Sequence, residues 1–315
     1  MCVRCAAPSG LLPSETVASA TDGVSECRGL QVNGTNHAMP SETSIALWRS
    51  RAAPGFALCL KMVATVTHRR DGQPSCDEAR RELATFLARA AGLGEALGPI
   101  LFQFPRSITC DLGLVRALAE VIAASPIPNA RIAFEVRHRS WFAFATNGVL
   151  ELLHELRWCL VEHPNTLDRS TTVDKSGDLN GKRYELEPLR GAEWPLTCDW
   201  AYVRLHGDND EHTYTYSDGE LATLATALHG YRQRAVRTYV FFLNCDQNAA
   251  MPHNARKLKQ LVHALAGEPV PRAPKAAAKG IGAFFAPKRA TANDEGLTDG
   301  RDGAGPERKQ PRRSG

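Results

Sequence analysis

Short strand-like segments alternate with amphipathic helical segments along most of this 315-residue chain, and this alternation limits the folds available to it. Each strand-like segment is apolar and is followed by apolar residues at helical spacing. The pattern predicts seven strands, at Leu30–Asn33, Phe56–Lys61, Ile100–Phe104, Arg131–Arg137, Trp158–Glu162, Tyr202–Gly207 and Thr238–Asn244. An alternating chain of this kind forms either an open doubly wound sheet or a closed (β/α)8 barrel.

The glycine motifs and the strand ends favour the barrel. No G-x-G-x-x-G follows a predicted strand, and the P-loop pattern G-x-x-x-x-G-K-[ST] is absent, whereas nucleotide-binding doubly wound folds use these patterns. Within the predicted strands, small or apolar inward-facing residues give way to a polar residue at the carboxyl end, where barrel proteins place their sites. We therefore expect an α/β fold of the TIM (β/α)8 type.

The sequence divides into three segments. Residues 1–29 form an atypical N-terminal segment in which the first strand is either atypical, as a short strand near Val3–Ala7, or missing. A missing strand would leave an open seam between strands two and eight. Residues 30–267 form the barrel domain, with the polar stretch Pro164–Pro195 as an excursion at the rim. Residues 268–315 form a disordered basic tail, because they contain too few apolar residues to build a core.

The distribution of charge and the number of cysteines indicate which ligands and which cellular compartments suit this protein. The ten basic and six acidic residues from Glu268 onward account for the net charge of +4, so residues 1–267 carry no net charge. A neutral body argues against a broad duplex-binding face, which needs clustered lysine and arginine. No apolar run resembles a secretory signal or a membrane span, and nine scattered cysteines are typical of free thiols. These features predict a cytoplasmic or nuclear protein that does not enter a membrane.

The predicted strand Arg131–Arg137 ends in opposite charges. Ile132, Phe134 and Val136 alternate with Glu135 and Arg137, so one face is apolar and the other carries a carboxylate and a guanidinium. Such groups are costly to bury unless they pair with each other or with a ligand. Both readings, an ion pair across the strand top and a wall of a binding site, are open from the sequence.

The strand ends bring further polar residues to one mouth of the predicted barrel. The inward-facing terminal residues are Asn33, Lys61, Gln103, Glu135, Arg137, Arg204, His206 and Asn244. Three cations against one carboxylate favour a phosphate or carboxylate ligand. We expect Lys61, Arg137 and Arg204 to hold the anion, and Gln103 and Asn244 to orient it. The predicted catalytic residues are Glu135 and His206, which would handle protons.

No cofactor is predicted, with a divalent metal as the open alternative. His68, His138, His163 and His206, together with Glu135 and Glu162, are suitable metal ligands near strand ends, but no H-x-x-x-H or H-x-E spacing occurs. Ser140 lies in no G-x-S-x-G elbow, which argues against a serine hydrolase.

Five segments together resemble a known family. They are FALCLKMVATVTH (56–68), LGPILFQFP (97–105), AFEVRHRSWF (133–142), AYVRLHG (201–207) and FFLN (241–244), the last followed by Asn254-Ala255. They are similar to the YecE-like TIM barrels, or domain of unknown function 72, over about Leu30–Leu265. The resemblance implies a barrel without a known reaction, and it adds His138, Ser140 and Trp141 to the predicted ligand-binding residues.

The chain departs from the family pattern near its start. Relatives have roughly E-I-N-x-T-F-Y where this chain has Q-V-N-G-T-N-H at 31–37, and the first-strand glycine and tryptophan motif is missing. The resemblance therefore leaves the first strand in question. Reduced activity and a misassigned start of the chain are both compatible with this departure.

The tail contains one apolar island, at 279–289. Ile281, Phe284 and Phe285 stand in a basic segment that has no core to enter, which favours docking into a partner groove. The island resembles a PIP box, the peptide that binds the sliding clamp PCNA, although Ala278 replaces the usual glutamine. An incidental apolar patch is the alternative, and the basic pairs at 308–309 and 312–313 are either a nuclear import signal or solvated charge.

The combined prediction is a barrel protein that binds a phosphate-bearing anion, nucleic acid included, at its carboxyl-end mouth. Phosphoester hydrolysis and a role associated with DNA repair are the functions it would serve. The alternatives are a noncatalytic scaffold recruited to PCNA by its tail and, on fold analogy alone, a carbohydrate or sugar-phosphate enzyme. The sequence names no reaction.

Overall fold

The computed structural model describes residues 2–6, 29–68, 77–162, 194–206, 214–234, 236–243 and 250–269. Several sequence-based predictions lie outside these ranges. They concern Asn244, the rim excursion up to residue 193, and the tail with Ile281, Phe284 and Phe285. Within the described residues, no helix is both long enough and apolar enough to cross a membrane.

Eight parallel strands form the centre of the described part of the molecule. They are β1 (Cys2–Ala6), β2 (Gly29–Val32), β3 (Ala57–Leu60), β4 (Ile100–Gln103), β5 (Ile132–Glu135), β6 (Cys159–Leu160), β7 (Trp200–Leu205) and β8 (Arg237–Phe242). Two sheets result, in the orders β3-β2-β1-β8-β7 and β4-β5-β6. Each of the seven predicted strands overlaps one of these, and the sequential order is that of a TIM-barrel-like fold.

Single bridges connect the edges of the two sheets. Leu58 pairs with Leu97 and Lys61 with Leu101 on the side of β3 and β4. On the other side Glu162 pairs with Val203, and the amide of Arg204 donates to the carbonyl of Glu162 at 2.9 Å. The end of β3 therefore lies next to β4, and the end of β6 next to β7.

The first strand is present. β1 pairs in parallel with β2, where Cys5 is opposite Leu30, and with β8, where Cys5 is opposite Phe242. The sequence left open an atypical first strand near Val3–Ala7 and a missing one, and a strand is found at Cys2–Ala6. The open seam between β2 and β8 does not occur.

Helices follow the strands, and their starts reflect local capping. They are α1 (Glu42–Arg51), α2 (Ala64–Thr67), α3 (Asp77–Ala91), α4 (Leu112–Ala123), α5 (Phe144–Asn147), α6 (Val149–Glu155), α7 (Asp218–Gln233) and α8 (Ala250–Leu265). The Ser41 hydroxyl accepts from the Ser44 amide at 3.0 Å, and the Asp111 carboxylate accepts from the Leu114 amide at 3.1 Å. Both residues were the predicted N-caps of their helices.

The helix predicted near 146–156 is interrupted. Gly148 has a left-handed backbone with φ of 68°, which ends α5 and starts α6 in a new direction. The Asn147 side chain fixes this break: its amide donates to the carbonyls of Ser140 and Trp141, and its oxygen accepts from the Val149 amide. Helical periodicity alone did not reveal the break.

The described core has an inner layer inside the strands and an outer layer between strands and helices. The inner layer consists of Cys59, Leu101, Ala133, Cys159, Val161, Trp200, Tyr202, Tyr239, Phe241 and Leu243. Its aromatic rings contact one another, and the Tyr202 and Phe241 rings stack with centroids 4.8 Å apart. This packing fills the interior below the carboxyl ends of the strands. The polar residues at those ends therefore lie directly above a close-packed layer of side chains.

Candidate functional site

The polar residues at the carboxyl ends of β3, β4, β5 and β7 continue the inward face of each strand. Lys61, Gln103, Glu135 and Arg204 each lie two residues beyond an inner-layer residue, namely Cys59, Leu101, Ala133 and Tyr202. Because strand side chains alternate with a period of two, all four point to the same interior. The period-two argument from the sequence selected these same four residues.

Glu135 is the centre of the site and pairs with two arginines. Its Oε1 accepts from Arg137 Nε at 3.0 Å and lies 2.9 Å from Arg137 Nη2, while its Oε2 pairs with Arg204 Nη1. Glu135 and Arg204 are each 1% exposed, and the Arg137 side chain is 23% exposed. Of the two possibilities for this strand end, the ion pair is found, and it leaves the Arg137 guanidinium partly exposed; the role of this strand end in ligand binding stays a prediction.

Gln103 extends the cluster to β4. Its side-chain oxygen accepts from Arg204 Nη1 at 3.3 Å, so one guanidinium nitrogen contacts both Gln103 and Glu135. Buried charge of this kind is tolerated when it is both paired and hydrogen-bonded. Arg204 is therefore held in one orientation by residues from two other strands.

Lys61 completes the cluster from β3. The Thr35 hydroxyl donates to the Lys61 carbonyl at 2.6 Å. The Thr35 hydroxyl oxygen also accepts from the Lys61 amide at 3.1 Å. The side chain is half-buried. Burial, and next the positive charge of Arg204, lower the pKa of Lys61 to about 7, against a partial opposing effect of Glu135. Three cationic side chains thus share the neighbourhood of one carboxylate.

Two histidines border this cluster. His68 follows α2, its Nδ1 lies 2.8 Å from the Thr67 hydroxyl, and its pKa is lowered by burial and then by the charge of Lys61. His206 directly follows β7 and is half-buried. His206 lies two residues after Arg204 in the chain; its inward orientation and its catalytic role stay predictions.

His138, Ser140 and Trp141 form a turn beside the cluster. The Ser140 hydroxyl lies 2.8 Å from His138 Nδ1 and accepts from the Cys110 amide at 2.7 Å. The Trp141 indole donates to the Ile108 carbonyl at 2.9 Å, and the residue is fully buried. These contacts tie the turn after β5 to the loop after β4. The prediction that the three residues bind a ligand remains untested by this arrangement.

A polar chain beneath the mouth was missed by the sequence analysis. The Tyr202 hydroxyl donates to Gln31 at 2.8 Å, and the Gln31 amide donates to Asn33. Gln31 is fully buried. The available signal was the alternation of Trp200, Tyr202 and Arg204 along β7, which places a phenol directly below the guanidinium.

The described residues offer no obvious metal centre. Among them, no group of three or more histidine, cysteine, aspartate or glutamate side chains is arranged to hold a metal ion. Glu135 is engaged with two guanidiniums, which compete with a cation for its oxygens. The predictions of no cofactor and of a possible divalent metal both remain to be tested.

Comparisons with known proteins agree on one family. A family model described as "Protein of unknown function DUF72" matches residues 24–278, and the comparison with curated proteins returns no match. A DUF72 family protein from Enterococcus faecalis has 18% identity and a TM-score of 0.63, over 83% of this chain and 95% of its own. A DUF72 family protein from Thermotoga maritima has 23% identity and a TM-score of 0.58, over 83% of this chain and 99% of its own. Together with the family match over most of its length, these likenesses show that the chain belongs to the DUF72 family.

Proposed function

We propose that the carboxyl-end mouth of the barrel binds an anionic ligand that carries a phosphate or carboxylate group. One observation carries the proposal: Arg137 and Arg204 both pair with a single carboxylate, that of Glu135, and Lys61 lies close enough for the same carboxylate to affect its pKa. The cluster keeps an excess of positive charge when Glu135 is fully ionised. Cations held in a partly dehydrated pocket attract anions more strongly than cations in water do.

The two arginines of the cluster differ in exposure, and we assign them different roles in anion binding. Arg204 is almost fully buried and directs its Nη1 at Glu135 and Gln103, so its part is to keep the mouth electropositive. Arg137 is partly exposed and uses Nε and Nη2 on one oxygen of Glu135. Its guanidinium is the group best placed to meet an incoming anion, and arginine matches phosphate and carboxylate geometry through paired N–H donors.

We propose that Glu135 positions the two arginines. Its two oxygens face two guanidiniums, and both oxygens are therefore engaged in charge-assisted contacts. His206 is then the better of the two predicted catalytic residues for proton transfer. Phosphoester hydrolysis remains the predicted reaction for a phosphate-bearing ligand, and phosphate release from a panel of phosphoesters and nucleic acids tests it.

The anion site is tested by changing its exposed arginine. We expect Arg137→Met to weaken the binding of inorganic phosphate at least about tenfold, because a charge-assisted contact contributes about 1.5–3 kcal/mol. Isothermal titration calorimetry at low ionic strength measures the affinity. Arg137 is preferred to Arg204 because its partial exposure lets the variant fold.

Arg116→Met supplies the matched control. Arg116 lies on α4, its side chain is 59% exposed, and its ion pair with Glu155 spans 4.0 Å. The Arg116→Met substitution also removes one positive charge, but at a position outside the mouth. The phosphate affinity of this variant should therefore stay near that of the unchanged protein. Equal phosphate affinity in Arg137→Met and Arg116→Met would refute the anion site.

A second candidate function, recruitment to the clamp PCNA, rests on the sequence of the tail. Ile281, Phe284 and Phe285 supply the hydrophobic and aromatic residues of a PIP-box-like peptide, and such anchors dock into apolar grooves. We expect the 275–290 peptide to bind PCNA in a fluorescence polarisation titration, and a Phe284→Ala, Phe285→Ala peptide to lose binding. No saturation of the unchanged peptide at tens of micromolar PCNA would remove this candidate.

A further inference from the structure

Lys61 is fixed in the main chain at the junction of three strands. Its amide donates to the Val32 carbonyl at 3.3 Å, its carbonyl accepts from Thr35, and it bridges to Leu101 beyond the end of β3. The base of the side chain is therefore held between β2, β3 and β4. The backbone of Lys61 is thereby fixed at the carboxyl end of β3, beside the mouth.

The Lys61 side chain is half-buried. Among the residues that the structure describes, none forms a hydrogen bond or an ion pair with it. The nearby carboxylate, Glu135, is paired with Arg137 and Arg204 instead. Two guanidiniums close to an unpaired ammonium repel it, and this environment favours the neutral amine.

The charged and titratable groups that face Lys61 come from each neighbouring element. Arg204 on β7 and Arg137 after β5 lower its pKa, and Glu135 at the end of β5 raises it in part. His68 after α2 also interacts with Lys61. With burial as the largest cause, the pKa of Lys61 falls to about 7. At pH 7 about half of the amine is the free base, against roughly one molecule in several thousand for an ordinary lysine.

We propose that Lys61 is a nucleophile that condenses with the carbonyl group of an anionic aldehyde or 2-oxo acid held at the barrel mouth. The inference rests on the proposed anion site and names a substrate class for it. The free amine attacks the carbonyl carbon and forms a carbinolamine. Loss of the former carbonyl oxygen as water then leaves an imine between Lys61 and the ligand, and no oxidant or reductant is consumed.

The surrounding residues suit this step. Arg137 would hold the carboxylate or phosphate of the ligand while the carbonyl carbon faces the amine. A neutral amine does not compete with Arg137 for the anion, so the two side chains have separate tasks. The positive charge of Arg204 disfavours protonation of Lys61 and thereby preserves its lone pair.

Reductive trapping tests the proposal with the unaltered full chain. Glyoxylate, an anionic aldehyde, is added with cyanoborohydride at pH 7, and the modified lysines are identified by peptide mass spectrometry. We expect Lys61 to acquire a carboxymethyl group at least about tenfold faster than Lys257, an exposed lysine on α8 whose amine lies 3.2 Å from Asp218. Lys61 labelling no faster than that of Lys257 would overturn the proposal.

The pH dependence gives a second readout. From pH 7 to pH 9, the labelling of Lys61 should rise only about twofold, because half of its amine is already neutral at pH 7. Ordinary lysines gain free amine about tenfold per pH unit in this range. A steep rise at Lys61, parallel to that at Lys257, contradicts the inference.

An uncharged aldehyde distinguishes the reactivity of the Lys61 amine from the contribution of the anion site to labelling. Formaldehyde with the same reductant should label Lys61 faster than Lys257 in the unchanged protein, because this reaction needs the free amine and no anion site. In Arg137→Met, which also removes one of the charges that lower the pKa of Lys61, the ratio of glyoxylate labelling to formaldehyde labelling at Lys61 should fall. Fast formaldehyde labelling without any glyoxylate preference refutes the anionic substrate class and the anion site together. Phosphate binding with slow labelling by both aldehydes refutes the Lys61 chemistry and leaves the anion site standing.

Discussion

Replacing Arg204 with methionine is expected to lower the free energy of unfolding by about 3–5 kcal/mol. Arg204 and Glu135 are each 1% exposed and paired, so the variant leaves a buried carboxylate with only Arg137 as its charged partner. Removing one member of a buried ion pair exposes the full desolvation cost of the other member. Urea unfolding followed by circular dichroism measures the change.

A double variant isolates the pairing itself. Glu135→Gln combined with Arg204→Met removes both charges and keeps similar side-chain volumes, so its loss of stability should be smaller than the sum of the two single losses. The exposed Arg116→Met variant should change stability by less than about 1 kcal/mol. Additive losses in the double variant would show that the two side chains do not support each other in solution.

Replacing Trp141 with alanine should cost about 3–5 kcal/mol of folding stability. The indole is fully buried, its ring lies 5.4 Å from that of Phe134 in an edge contact, and its N–H donates to the Ile108 carbonyl. Alanine removes all three contributions and leaves a cavity beneath the turn after β5. The same unfolding measurement, with intrinsic fluorescence from the remaining tryptophans, reports the loss.

The Trp141 variant also decides between two roles for this residue. The family resemblance predicts that Trp141 binds a ligand, whereas its contacts in the structure are those of a core residue. Trp141→Phe keeps an aromatic ring, so it should cost less stability than Trp141→Ala and leave phosphate affinity unchanged. Near-normal stability of Trp141→Ala with lost phosphate binding would support direct ligand contact instead.

Much of the site was predictable from the sequence because strand periodicity is a local property. Lys61, Gln103, Glu135 and Arg204 each stand at the polar end of an alternating segment, and parallel strands bring such ends together. The pair between Glu135 and Arg137 was one of the two possibilities that the sequence left open, because the two residues are neighbours along the chain. The pair between Glu135 and Arg204 was not predictable, because it depends on the distance between strands that are far apart in the chain.

The fold shows the same difference between local features, which a sequence pattern reveals, and contacts that depend on the folded structure. Ser41 and Asp111 cap their helices through bonds that span three residues, which a sequence pattern reveals. The break at Gly148 depends on the Asn147 side chain reaching Ser140 and Trp141. Strand β1 carries no family motif and takes its place through pairing with β2 and β8, which are formed by distant residues.

The position of β1 has a practical consequence for anyone handling this protein. Its five residues, Cys2–Ala6, pair with the backbone of β2 on one side and of β8 on the other. Trimming the first few residues, or pulling them away with a bulky N-terminal fusion, would uncover the donors and acceptors of both neighbours at once. Such unprotected edges recruit strands from other molecules, so an affinity tag is better placed at the opposite terminus.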